Sequence, residues 1–203
     1  MGESTGIGES LIKDAMEHID KLCSPFEHCK ICFAAKIFAF SFILHVQKNR
    51  FIANEFGKRA KHIVDGLLLF LQQRPTSAIY IILPQIDGLV TDHLIAKGLL
   101  KASARGYPLW TNHASNPGAR CKNLKEAIEE GSKSQLSRIG KTVQHIKYTP
   151  VLLEYIVNLR NRMIHGSLVE IEEHDAVDVI LLLEALHHDL ELYEVTKPEN
   201  KHE

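Results

Sequence analysis

The chain has 203 residues, 45% of them hydrophobic and 24% charged, with a formal net charge of -1. That composition excludes disordered, collagen-like and mucin-like chains, and the length suffices for one sizeable core without disulfide staples. The near-neutral total hides a segregation: residues 1–100 carry 11 Lys and Arg against 10 Asp and Glu, residues 101–166 carry 11 against 4, and residues 167–203 carry 2 against 11. A basic centre followed by an acidic end predicts a binding surface in the middle of the chain.

The first predicted element is a helix over 9–23, with Leu11, Ala15, Ile19 and Leu22 on one stripe. The opening MGESTGIGES lacks the basic and apolar regions of a signal peptide, and Gly6 stands where a myristoylation pattern wants Ser or Thr. Gly6-Ile7-Gly8 is not a phosphate loop, because no strand precedes it and the further glycine spacing fails. Without a secretory start, the four cysteines (Cys23, Cys29, Cys32 and Cys121) read as thiols of a reducing, cytoplasmic protein. Cys29-x-x-Cys32 with Cys23 and His28 is half of a structural zinc pattern; the second pair is missing, so no metal is expected.

From Glu27 to about Gln73 the chain is helix-compatible, started by Ser24-Pro25 and stopped by Arg74-Pro75-Thr76, with room for a break near 49–54. Its expected inward face runs through Phe33, Ile37, Phe40 and Leu44, then Ile63, Leu67 and Leu71. The apolar stretch from Phe33 to Val46 is broken by Lys36 and too short for a bilayer, so no membrane partner is expected. Ser77 starts a helix reaching about Leu100, with a kink expected at Pro84. Residues 103–121 hold two Gly, two Pro and two Asn and no period, which predicts a long loop. Lys122–Glu130 and Lys133–His145 read as short polar helices. Thr149-Pro150 opens a helix that runs from Val151 to His165 and stops at Gly166. A last helix covers Glu172 to about Tyr193, apolar through Ala176, Val179, Ile180, Leu183, Leu186 and Leu190, before a polar tail over 196–203. The expected architecture is an all-α helical bundle forming one domain over 1–203. Its core covers about 25–193, with a basic loop and short-helix insertion at about 101–148 before the final helical hairpin.

Chemistry concentrates in the segment LLEYIVNLRNRMIHG, residues 152–166. Leu152, Leu153, Ile156 and Leu159 form its apolar side, and Asn158, Arg160, Asn161, Arg162 and His165 crowd its end. At 100° per residue, Asn161 and Arg162 share a side with His165, while Arg160 lies about 140° around. Arginine offers a fork to phosphate oxygens and histidine moves a proton near neutral pH, so the set suits phosphate chemistry. The plainer alternative is a histidine that complements the helix dipole among solvated arginines. The basic stretch 101–147, which includes Lys141 and Lys147 and has Tyr107, Trp110 and Tyr148 close by, would track a single-stranded backbone. Glu184-Ala-Leu-His187 matches half of a di-iron pattern, but no second copy exists.

Arg160-Asn161-Arg162-Met163-Ile164-His165, followed by Gly166, resembles the Arg-polar-x-x-x-His signature of the HEPN family (higher eukaryotes and prokaryotes nucleotide-binding domains). The resemblance covers 150–193 well and, by helix count, 25–193. It implies a metal-independent endoribonuclease without cofactor, built as a homodimer whose two motifs face one cleft. On that resemblance His165 transfers the proton, Arg160 holds the scissile phosphate, and Asn161 orients phosphate or the histidine. Arg162, Asn158, Lys141 and Lys147 would then contact RNA. Asp87 would be the supporting acid from an earlier helix, with Asp92 next; the alternative for either is an ordinary ion pair. Products would carry 2′,3′-cyclic phosphate and 5′-hydroxyl ends. Many such nucleases serve toxin–antitoxin or antiviral systems, which implies an antitoxin or sensor protein as a partner. Ser167 stands where one branch of the family has a modified tyrosine, which speaks against that form of regulation. The rival expectation is an inert module of the same shape that binds RNA or a protein without cutting.

Overall fold

A computed structural model describes residues 30–48, 50, 54–112, 114–137, 139–144, 149–167 and 170–196. The predicted helix over 9–23, Cys23, His28, Cys29, Arg138, Lys147, Tyr148 and the tail lie outside the described residues.

The protein is an all-α bundle built from α1 (Lys30–Gln47), α2 (Asn54–Leu71), α3 (Pro75–Ala96), α4 (Leu124–Lys133), the single turn α5 (Lys141–Gln144), α6 (Thr149–Ile164) and α7 (Glu173–Thr196). Between α3 and α4 it carries a small hairpin, β1 (Leu100–Ala102) and β2 (Pro108–Trp110). The central element is α3, which packs against α2, α4, α7 and β1. By length and composition α3 could cross a bilayer, but its residues Ile79, Ile82, Leu83, Ile86, Leu89, Val90 and Leu94 are buried inside the bundle. A Cβ at Gly66 would lie 2.4 Å from Ile82 Cγ1, so glycine is what lets α2 and α3 approach so closely.

On α7 all six residues the periodicity selects are buried, together with Val177, Leu182, Ala185 and Asp189, and on α6 Leu153, Ile156 and Leu159 are buried with Met163. On α1 the outcome differs. The inward face is Ala35, Phe38, Ala39, Phe42 and Ile43, whereas Ile37 is 42% exposed. The helix is apolar on nearly every side, so periodicity alone selects no face. Its orientation accompanies an ion pair from buried Lys36 Nζ to half-exposed Glu173 Oε1 at 2.9 Å, which ties the start of α7 to α1. The break between α1 and α2 falls where expected, and Pro75 is at the start of α3, two residues before the predicted Ser77.

The insertion is more ordered than the predicted loop. Leu100 pairs with Trp110 and Ala102 with Pro108 in an antiparallel ladder, and Arg120 adds a bridge to Leu109. Trp110 is 1% exposed, and its indole N–H donates to Glu126 Oε1 at 2.9 Å. Ile128 and Ile139 join the same core, so the insertion shares the bundle's hydrophobic cluster. A second tie is polar: buried His93 of α3 meets Ser137 Oγ through Nε2 at 3.0 Å and Glu55 of α2 through Nδ1 at 3.5 Å. The Ser137 hydroxyl also accepts the Ile139 N–H at 3.1 Å.

Candidate functional site

Helix α6 carries the motif, and its end has the geometry the sequence predicts. The Ser167 N–H donates to Arg162 O at 2.9 Å and the Gly166 N–H to Met163 O at 3.2 Å. Gly166 has φ +68°, the left-handed conformation that terminates a helix in this double bond pattern. His165 is therefore the last half-helical residue, exposed on the surface at the C-terminal end of the helix. Ahead of it, Asn158, Asn161 and Arg162 are also exposed. The hydroxyl of Thr76 on α3 accepts the Ile171 N–H at 2.9 Å, and Tyr155 in the middle of α6 donates to Asp175, so the start of α7 is held to both α3 and α6.

Arg160 turns the other way. It borders the buried stripe of Leu159 and Met163, and its Nε pairs with the Asp87 carboxylate of α3. The Arg160 side chain is one-third exposed and Asp87 one-quarter. Burial pushes the Asp87 carboxyl above the usual carboxylate range, opposed by the Arg160 charge and its hydrogen bond. Asp92, one turn further along α3, instead holds Arg59 of α2 at 2.7 Å. Gly88 lies between the two pairs, and a Cβ there would strike the Arg59 guanidinium at 2.3 Å.

Beside the Arg160–Asp87 pair opens a cleft of about 180 Å³ lined by Thr91 of α3, by Arg120, Cys121 and Lys122 of the insertion, and by the first turns of α4. Hydrogen bonds from Trp110 N–H to Ala119 O at 2.9 Å and from Cys121 N–H to Pro108 O at 3.1 Å hold this segment against β2. Asn123 caps α4 by accepting the Glu126 N–H at 2.9 Å, and Glu126 Oε2 accepts the Lys122 N–H at 3.0 Å. The Arg120 guanidinium stacks 4.9 Å above the Tyr107 ring centre. Three cations thus face one carboxylate around the cleft. Cys121 contributes no nucleophile, since burial first and the Glu126 charge next push its thiol up to about 12.

The structure thus joins two of the residues singled out from sequence, Arg160 and Asp87, and leaves others apart. Five helical residues separate Arg160 from His165, which is about 7.5 Å along the axis and 140° around it. Lys141 does not line the cleft; its ammonium donates to the carbonyl of Ser132 at the end of α4. Arg120 and Lys122 were expected only as members of the RNA-tracking basic stretch 101–147, and Thr91 was not expected at all. The sequence signal for the first two is the Asn123-x-x-Glu126 cap, which fixes where the basic segment ends and α4 begins. Among the described residues no group of three or more His, Cys, Asp or Glu side chains is placed to hold a metal.

Neither the protein families nor the curated proteins nor the solved structures contain a significant match to this chain.

Proposed function

We propose that the protein is a metal-independent endoribonuclease, acting as a homodimer in which Arg160 and His165 of both protomers face one RNA strand. The observation that carries the reading is the split character of the end of α6. It presents an exposed imidazole at its C-terminus and, about 140° around the helix, an arginine at the mouth of a cation-lined cleft. In the proposed step the ribose 2′-oxygen loses its proton and attacks phosphorus. The 5′-oxygen leaves with a proton, giving a 2′,3′-cyclic phosphate and a 5′-hydroxyl. His165 moves the proton, Arg160 balances the charge growing on the phosphoryl oxygens, and Asn161 orients the phosphate or the imidazole. Asp87 restrains the rotamer of Arg160, a positioning role. The setting we propose is cytoplasmic toxin–antitoxin or antiviral defence, with an antitoxin or sensor protein as the restraining partner.

A second reading has its own support. Within one protomer Arg160 is engaged by Asp87 and lies about 140° around the helix from His165, not on an adjoining side, which suits a module that grips RNA or a protein without cutting it. Cleavage of mixed single-stranded and structured RNA in excess EDTA separates the two. Cutting by wild type that is lost in His165→Ala and in Arg160→Ala supports the nuclease. RNA bound equally by all three and cut by none supports the binding module. Cutting that persists in both variants refutes the site.

A further inference from the structure

We propose that the cleft beside Arg160 is a phosphate subsite in which Arg120 and Lys122 dock the oxyanion and the Asp87–Arg160 pair forms its wall. The argument starts from charge. Arg160 has its carboxylate, but Arg120 and Lys122 bring two further cations to the same opening, and no ion pair to either is found among the described residues. A cleft of about 180 Å³ has the volume of about six water molecules, which accommodates a phosphate group with part of its shell or its adjoining ribose. Thr91 supplies a hydroxyl on the same wall.

The Arg120 guanidinium is also pre-positioned, and the backbone that carries Lys122 is held. Arg120 is fixed in backbone by its bridge to Leu109 and in side chain by the Tyr107 ring, so little freedom is lost when it binds. Lys122 is fixed in backbone by Glu126, itself anchored to the buried Trp110. The four charged groups come from α3, the insertion and α6, three segments that meet only in the folded chain. Asp87 tunes the site. An incoming oxyanion competes with its carboxylate for Arg160, so binding strengthens when that carboxylate loses its charge.

The inference deepens the nuclease reading by placing a second phosphate of the strand next to Arg160, yet the anion site stands without cleavage. Its ligand chemistry is a phosphate oxyanion, carried by an RNA backbone or by a free nucleotide. The test measures binding of a 2′-O-methyl hexanucleotide, which lacks the attacking hydroxyl, and of AMP and inorganic sulfate. The proteins are wild type, Arg120→Gln, Lys122→Gln, Asp87→Asn and, as a control on α2, Lys61→Gln, each checked for native circular dichroism.

Hexanucleotide affinity should fall about tenfold in Arg120→Gln and in Lys122→Gln, with the slope of log K against log salt smaller by about 1, and stay unchanged in Lys61→Gln. Asp87→Asn should bind sulfate more tightly. AMP and sulfate that compete only weakly indicate that the backbone is the source of the phosphate; AMP that binds more tightly than the hexanucleotide, with the same Arg120 dependence, indicates a free nucleotide. Arg120→Gln and Lys122→Gln that stay within twofold of wild type with the same salt slope overturn the subsite, as does a wild type that binds none of the three probes. A protein that binds through Arg120 and Lys122 but cuts no RNA refutes the nuclease and leaves the subsite standing. One that cuts RNA with both affinities unchanged does the reverse.

Discussion

His187 makes the fold measurably sensitive to mild acid. Its ring lies among Phe38, Phe42 and Phe56 at centroid distances of 5.8, 5.6 and 5.1 Å and stacks against His45 at 6.2 Å. Burial first, and then the charges of His45 and His188, lower its pKa from 6.5 to about 4. Above pH 6.5 the imidazole is neutral in both the folded and the unfolded chain, and there is no penalty. Between 6.5 and about 4 the unfolded chain takes up a proton that the folded one refuses, so stability drops as pH falls. A shift of that size corresponds to at most about 3 kcal/mol at the acid end. The upward-shifted carboxyls of Asp87, Glu184 and Asp189 act with the opposite sign, since protonation there favours the folded state.

Those carboxyls cancel when wild type is compared with His187→Phe. Urea unfolding of both proteins at a series of pH values across that window gives the difference in unfolding free energy. The substitution also alters packing, but that contribution does not vary with pH. The difference should therefore shift in favour of the variant by about 2–3 kcal/mol from neutral pH to about pH 4. A difference that stays constant across the window would refute the assignment of a half-buried, neutral His187.

Two other outcomes are expected. Ser137→Ala removes the hydroxyl that meets His93 Nε2 and accepts the Ile139 N–H, so each of these buried groups loses that one contact. The loss should be about 2–4 kcal/mol in thermal or urea unfolding, and a change below about 0.5 kcal/mol would mean that water replaces the hydroxyl. In the folded protein at mildly alkaline pH the buried Cys121 should be alkylated by iodoacetamide far more slowly than the half-exposed Cys32, as read by peptide mass spectrometry. Equal rates would show that the cleft opens to reagent on the timescale of labelling.

The parts of the fold that could be read in advance are those whose information is local. Helix α7 announces itself through six apolar positions at helical spacing, and α6 through Thr149-Pro150 at one end and Gly166 at the other. What could not be read depends on distant partners. The inward face of α1 is ambiguous because its sequence is apolar on most sides, and its buried Lys36 pairs with Glu173, far along the chain. The hairpin strands are three residues each with no alternation to reveal them. They form where Trp110 is buried against α4. The cleft itself was invisible for the same reason: the sequence marks Arg160 and Asp87 as candidates and Arg120 only as part of the basic stretch 101–147, and only the packing of α3, the insertion and α6 makes them neighbours. The pairing of Asp87 with Arg160 is compatible with both alternatives the sequence left open, a supporting acid and a plain ion pair.

Because Trp110, Ile128 and Ile139 belong to the same hydrophobic cluster as α3, the segment between α3 and α6 is not a detachable accessory. A version of this protein trimmed of it would expose one wall of the bundle's interior, so any ancestor lacking the segment must have closed that wall with different side chains. The coupling also runs outward. A ligand that tightens the grip of Arg120 and Lys122 on their surroundings should raise the melting temperature of the whole domain rather than quieten one loop, making thermal shift a direct readout of occupancy.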